Sequence, residues 1–446
     1  MKHIINNIKT GSLIALAAMA VLTACNKDMP EITGTPATSP VTPPSGLGLA
    51  DAVKANPNDS LFYKIMLRGG TGNLTLLNNK TATYTLFVPT NAAIRSAITA
   101  LSGGLVPAGS PDPVYVGFIN TALRAGQADT IVRYHIIPQK VLAVNIPATF
   151  PNFQYPTILN PAPQISALLR LTTFPSTRNG AWLNNIPIVS TDNAAANGVY
   201  HEIAALSVPP SQYLWDRINT DAGLTYLKAA ILRADSGVAV TASGSLQGAL
   251  LNIGANLTVY APTDAAFQAT LTGAIYQALV PVVTAQLIPV ITAQLISGGA
   301  TPEEAAAQAP ALAAAQAPAI ALAQATTLAS SPTVFSNPAL YGALSATTVK
   351  GLVVYHLLGV RAFNNNLPTT AANFPTLLNG AVPTHPGIGL QATFTGGFVT
   401  SATAKGIANT TASNILINPT PAPGGTSDQF YLNGVLHKID QVMRPQ

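Results

Sequence analysis

Three motifs occur twice along this 446-residue chain, in the same order. Tyr84-Thr85-Leu86-Phe87-Val88-Pro89-Thr90-Asn91-Ala92-Ala93 returns as Leu257-Thr258-Val259-Tyr260-Ala261-Pro262-Thr263-Asp264-Ala265-Ala266. Tyr134-His135 returns as Tyr355-His356, and Asn197-Gly198-Val199-Tyr200-His201 returns as Asn433-Gly434-Val435-Leu436-His437. Chance composition does not produce an ordered triplet twice. The chain is a tandem duplication, two copies of one module that must each bury a core of their own.

Within each copy the motifs read as element boundaries. Thr85-Leu86-Phe87-Val88 and Thr258-Val259-Tyr260-Ala261 are short apolar runs ended by Pro89 and Pro262. Proline cannot donate to a sheet ladder, while Thr, Asn or Asp accepts from the free N–H groups of a first helical turn. The pattern predicts a strand that stops at the proline and a helix that starts at once, with Asn91 and Asp264 as its caps. A second helix ends at each Tyr-His pair, and short β-like stretches broken by Gly, Asn and Pro follow. Asn-Gly before the closing apolar run is a tight-turn signal, because both residues tolerate positive φ. The modules are placed at 47–209 and 210–446, both of α+β class.

The copies are not equally long. The Pro-Thr motif recurs at an offset of 173 residues and the Tyr-His motif at 221, so the second copy holds 48 extra residues between them. They fall in a low-complexity stretch at about 272–331, where Pro281-Val-Val-Thr-Ala-Gln-Leu-Ile is echoed by Pro289-Val-Ile-Thr-Ala-Gln-Leu-Ile. Thr301-Pro302-Glu303-Glu304 looks like a helix start, with a Thr cap, Pro in the first turn and acids at the positive end of the dipole. The Ala-rich run from Ala305 favours helix, with Pro310 and Pro318 expected to interrupt or kink it. The expectation is a set of helical excursions packed beside the second module. A membrane-inserting hairpin is the alternative, weakened by apolar pieces that are short and studded with Pro and Gln.

The N-terminus carries an export pattern. Lys2 and Lys9 precede a short apolar core from Leu13 to Val21, and Leu22-Thr23-Ala24-Cys25 resembles a bacterial lipobox. Residues 1–24 are predicted to be a lipoprotein signal peptide, with Cys25 as the acylated first residue of the mature chain. Cys25 is the sole cysteine, so no intrachain disulfide exists. The Pro/Thr/Ser-rich stretch 25–46 cannot bury enough apolar surface to order itself and is read as a tether. The expected location is the bacterial cell envelope, at the outer membrane. Removing residues 1–24 lowers the formal charge from +5 to +3. With no dense Lys/Arg run, a nucleic-acid partner is disfavoured despite a pI of about 9.2.

At these motifs the chain resembles the fasciclin domain family, whose pattern is a Thr-x-Phe/Tyr-x-Pro-Thr-Asn/Asp-x-Ala box, a central Tyr-His pair and a closing Asn-Gly-Val-x-His box. The resemblance implies two compact α+β modules, each a β-sandwich or barrel-like sheet flanked by helices. It also implies cell-surface adhesion or extracellular ligand binding, without catalysis or cofactor, toward a surface protein or a glycan. In some fasciclin domains the Tyr-His region engages receptors, which makes Tyr134, His135, Tyr355 and His356 the candidate partner-binding residues. The first closing box departs from the pattern, with His201-Glu202-Ile203-Ala204 against His437-Lys438-Ile439-Asp440 in the second.

Residues able to carry chemistry are few. His135, His201, His356 and His437 sit in repeated motifs, but Glu202 has Lys438 as its counterpart and Asp440 has Ala204. A duplicated metal site should keep its third ligand in both copies, so structural histidines are expected. No nucleophile elbow, zincin helix or Walker loop is present. A small-ligand or polysaccharide-binding accessory is the competing class, its pocket bordered by Trp182, Tyr213 or Trp215. A purely structural envelope protein is a third reading.

Overall fold

The structure, a computed structural model, describes residues 44–418 and 425–446. The predicted signal peptide, Cys25 and the tether up to residue 43 lie outside the described residues.

In each half the Pro-Thr strand and the closing strand lie side by side, parallel, inside one sheet. Tyr84–Pro89 pairs with Gly198–Ile203, Tyr84 opposite Gly198 and Pro89 opposite Ile203. Leu257–Pro262 pairs with Gly434–Ile439, Leu257 opposite Gly434 and Pro262 opposite Ile439. The short strand after each Tyr-His pair adds antiparallel on the far side, Leu86 opposite Ile136 and Val259 opposite Leu357. Motif offsets that differ along the sequence thus converge on a single register in space.

The central strands show why that register is specified. Successive side chains of a strand point to opposite faces. Leu86 and Val88 enter a core formed with the helices, while Phe87 enters a second core on the other face. Leu257, Val259 and Ala261 do the same against Tyr260 in the second module. A slip of one residue would exchange the two sets. The first module holds a six-stranded sheet, and the second holds two four-stranded sheets, all within the expected α+β class.

The box residues work differently from expectation. Thr90 and Thr263 cap the helices that follow, their Oγ1 atoms accepting from Ala93 N at 3.3 Å and Ala266 N at 3.2 Å. Asn91 and Asp264 instead cap a neighbouring helix. Asn91 Oδ1 accepts from Leu61 N at 2.9 Å, in the first turn of Ser60–Arg68. Asp264 Oδ1 accepts from Tyr226 N at 3.0 Å, in the first turn of Thr225–Ala234. One box thereby fixes two helix starts against one strand end.

The closing glycines are needed for approach more than for the turn. The two turn residues are Ala196-Asn197 and Leu432-Asn433, with glycine just after them. A Cβ on Gly198 would collide with the Tyr84 carbonyl oxygen, and one on Gly434 with that of Leu257. The buried asparagine beside each glycine ties three segments together. Asn197 accepts from Leu49 N and donates to Leu77 O, and Asn433 accepts from Leu214 N and donates to Leu250 O.

The extra residues of the second module form a helical hairpin, Asp264–Ser297 and Pro302–Ala329. The capping box at Thr301 forms, with Glu304 Oε2 accepting from Thr301 N at 3.0 Å. Two expectations need correction. Both helices run on through Pro281, Pro289, Pro310 and Pro318 without a break. Three of these prolines are exposed and Pro318 is half-buried, so water can serve the carbonyls they leave unpaired. Nor does the hairpin lie along the module. Phe267, Leu271, Ala325 and Ala329 root it in the module's core, and Tyr226 Oη donates to Ala329 O at 2.6 Å. Beyond Ile275 its buried clusters contain hairpin residues only.

Candidate functional site

The four motif histidines are buried and held as single tautomers. His135 Nδ1 donates to Ile131 O at 2.7 Å and His356 Nδ1 to Leu352 O at 2.9 Å, one turn back in each helix. His356 Nε2 then accepts from Met443 N at 2.9 Å, whereas His135 Nε2 has no hydrogen-bond partner among the described residues. Burial lowers both imidazoles to about 4. His201 and His437 use the other tautomer. Their Nε2 atoms donate to Val141 O and Ala362 O, and their Nδ1 atoms accept from Asp192 N and Asp428 N. Burial depresses these two rings as well. Such rings order the core. Among the described residues no group of three or more His, Cys, Asp and Glu is placed to hold a metal.

The candidate partner residues Tyr134, His135, Tyr355 and His356 are all 2% exposed or less. This corrects their placement: none presents a side chain that a partner can touch. What covers each tyrosine differs between modules. Tyr355 is closed over by its own module, donating to Gly387 O at 2.7 Å and accepting from Ile407 N at 3.0 Å. Tyr134 is covered by the sister module, stacked on Phe430 with ring centroids 6.4 Å apart.

That contact belongs to an aromatic junction between the modules. Phe174 of the first packs against Phe363 and Phe430 of the second at 5.8 and 6.3 Å. Arg361 lies over Phe174 and Phe430, its guanidinium carbon 5.2 and 4.9 Å from the ring centres. Asparagines stitch the rim. Asn179 Nδ2 donates to Asn365 O and Leu367 O at 3.1 Å each, and Asn365 Nδ2 returns a bond to Asn184 O at 3.0 Å. Asn179 and Asn184 both have φ near 55°, a left-handed geometry that asparagine tolerates.

Two cavities open beside this junction. One of about 280 Å³ lies between Trp182, Asn185 and Pro187 on one side and Phe398, Asn418 and Asp428 on the other. The second, of about 290 Å³, shares Asn185 and Asp428 with it. Trp182 and Phe398 meet edge-to-face at 6.3 Å, and Phe398 is 60% exposed. Asn365 lines the first cavity with its Oδ1 buried and, among the described residues, without a hydrogen-bond partner. Burial raises the Asp428 carboxyl, partly offset by His437 and the donors of Asn364. The site is therefore a narrow slot of aromatic edges and mostly neutral polar groups.

Asp428 also reveals a fourth repeated element. Asp192 and Asp428 each stand nine residues before the closing histidine, both with φ between 50° and 60°. Their carboxylates accept from Ala143 N and Asn364 N, positions related by the Tyr-His offset of 221. Equal spacing to His201 and His437 was the available signal. Phe398, Asn365 and Arg361 have no such echo.

The fasciclin domain family model matches residues 62–209. Among solved structures the chain is similar to a FAS1 domain pair from the insect cell adhesion molecule Fasciclin I, at 14% identity, covering 87% of this chain and 98% of that one, with a TM-score of 0.28. A comparison with curated proteins gives no match. The family match thus falls on the first module, and residues 210–446 repeat that module's three motifs and its strand registers.

Proposed function

We propose that this chain is a non-catalytic binding protein of the bacterial cell envelope, held by lipid at Cys25 and engaging a surface protein or glycan through the slot at its module junction. Fasciclin domains are commonly adhesive, and the motif residues that resemblance nominated are buried, which moves attention to the junction. The carrying observation is the pairing of Trp182 and exposed Phe398 with Asn185, Asn418 and the unpartnered amide oxygen of Asn365. Aromatic faces with neutral amides suit the apolar faces and hydroxyls of a sugar, or a peptide backbone. The slot lies just below the usual volume range of small-molecule pockets. That favours gripping part of a larger partner over enclosing a free ligand, and it sets the polysaccharide accessory reading above a small-molecule carrier.

A glycan and surface-protein array probed with the chain from residue 25 onward tests this. Phe398→Ala, at an exposed position, should lower affinity for any ligand found by about 10-fold while leaving the melting temperature unchanged. Ligands bound equally by the native chain and Phe398→Ala would defeat the assignment of the slot.

A further inference from the structure

The distal hairpin has an outer face that, among the described residues, no part of the modules covers. Its seam is regular: Ala305, Ala309, Ala313, Ala317, Ala321 and Ala325 are buried at every fourth residue of the second helix. Phe267, Leu271, Ile275, Val283 and Ile291 face them at spacings of four and then eight residues. Val283 packs with Ala317 and Ala321, and Ile291 with Ala309 and Ala313, which fixes the antiparallel register. In an antiparallel pair, residues that precede the seam on each helix fall on one common face. Here they alternate. Gln294 stands level with Gln308, Val290 with Leu312, Gln286 with Gln316, and Val282 with Ile320. All eight are exposed, the aliphatic ones by 37–51%.

We infer that this face is a self-association surface, its partner the same face of a second copy of the chain. Two such faces stacked in register place amide on amide and aliphatic on aliphatic, the self-complementarity that a two-fold interface requires. Residues 265–302 and 305–349 contain no Asp, Glu, Lys or Arg, so no charge on the face opposes the pairing. The size suffices. A helix of 28 residues is about 42 Å long, and two helices side by side give roughly 800 Å² per copy, the extent of a standard specific interface. Both helices are also long and apolar enough to cross a membrane, with only 11% and 22% of their most apolar windows buried. The lipid alternative is weaker, because hydrocarbon would strand the glutamine amides and Glu303 and Glu304 sit at the hairpin's tip.

Sedimentation of the chain from residue 25 onward, produced without acylation, tests the proposal across a concentration series. The native chain should form dimers. Val290→Glu with Leu312→Glu, and separately Gln286→Lys with Gln316→Lys, should each weaken them about 100-fold or more at unchanged helical circular dichroism. Ala306→Glu with Ala314→Glu, at exposed positions that follow the seam and so lie on the opposite face, should leave them intact. A native chain that stays monomeric, or dimers that survive both face variants, would overturn the inference. A monomer that floats with phosphatidylethanolamine/phosphatidylglycerol vesicles and loses flotation in the Val290/Leu312 variant would overturn it in favour of a lipid surface.

Discussion

The buried titratable groups set opposing pH responses. His135 and His356 titrate near 4 in the folded chain, against about 6.5 when unfolded. Between those values the unfolded chain binds the protons. Stability is therefore complete above pH 6.5 and falls as pH drops, by about 1.4 kcal/mol per unit per histidine, until it levels below 4. Urea midpoints from pH 7.5 to 4.5 should show this slope, and a flat profile would mean that the rings are solvated. Asp59 acts in the other direction. Burial and the neighbouring Glu202 raise it to about 7, above its unfolded value near 3.8. Its contribution is complete below that value and lost as pH rises through 7. Asp59→Asn mimics the protonated form, so it should match the native chain only below about pH 3.8 and exceed it in melting temperature by a margin that grows up to pH 7 and is full at pH 8. Equal melting temperatures at pH 8 would show that the carboxyl ionises freely.

Single strand ends and helix starts carry the module architecture, and they are where the duplication was legible. The strand stop at Pro89 and Pro262 and the helix start beyond it follow from residue chemistry alone. The exchange of capping roles does not, because a carboxylate or amide one residue into a helix can turn outward to any neighbour. That neighbour is set by tertiary packing. Thr90→Ala should cost about 1 kcal/mol, as for an ordinary cap. Asn91→Ala should cost more, about 2–3 kcal/mol, since it unpairs Leu61 N and removes donors to Pro57 O and Ser60 Oγ. Equal losses in chemical denaturation would reject the two-helix role. The closing glycines are a stricter case: Gly198→Ala or Gly434→Ala forces apart the central parallel strands and should cost more than about 2 kcal/mol. The hairpin was legible as helix from its Ala-rich composition. Its unbroken run through four prolines was not, since proline's cost depends on whether the freed carbonyl faces water.

At the scale of the whole molecule, the modules are two scaffolds joined by residues that the repeat could not mark. Phe430 and Arg361 have no role in the second module's own copy of the motifs, yet they close over Tyr134 and Phe174 of the first. Arg361 is 5% exposed and donates to Asn256 Oδ1 and to the Tyr431 and Leu432 carbonyls. Burial lowers its guanidinium to about 10, and among the described residues no carboxylate pairs with it. Aromatic faces therefore supply much of its electrostatic partner, and those faces come from both modules. Removing one ring loosens the junction without touching either core. Phe430→Ala should cost about 2–3 kcal/mol and split a single calorimetric transition into two, one for each module. Amide exchange should rise at residues 134–137 and 171–174 in the first module while the central strand pair Tyr84–Pro89 and Gly198–Ile203 stays protected. A variant that still melts in one transition at the native temperature would mean that the asparagine stitches at Asn179 and Asn365 alone bind the pair together.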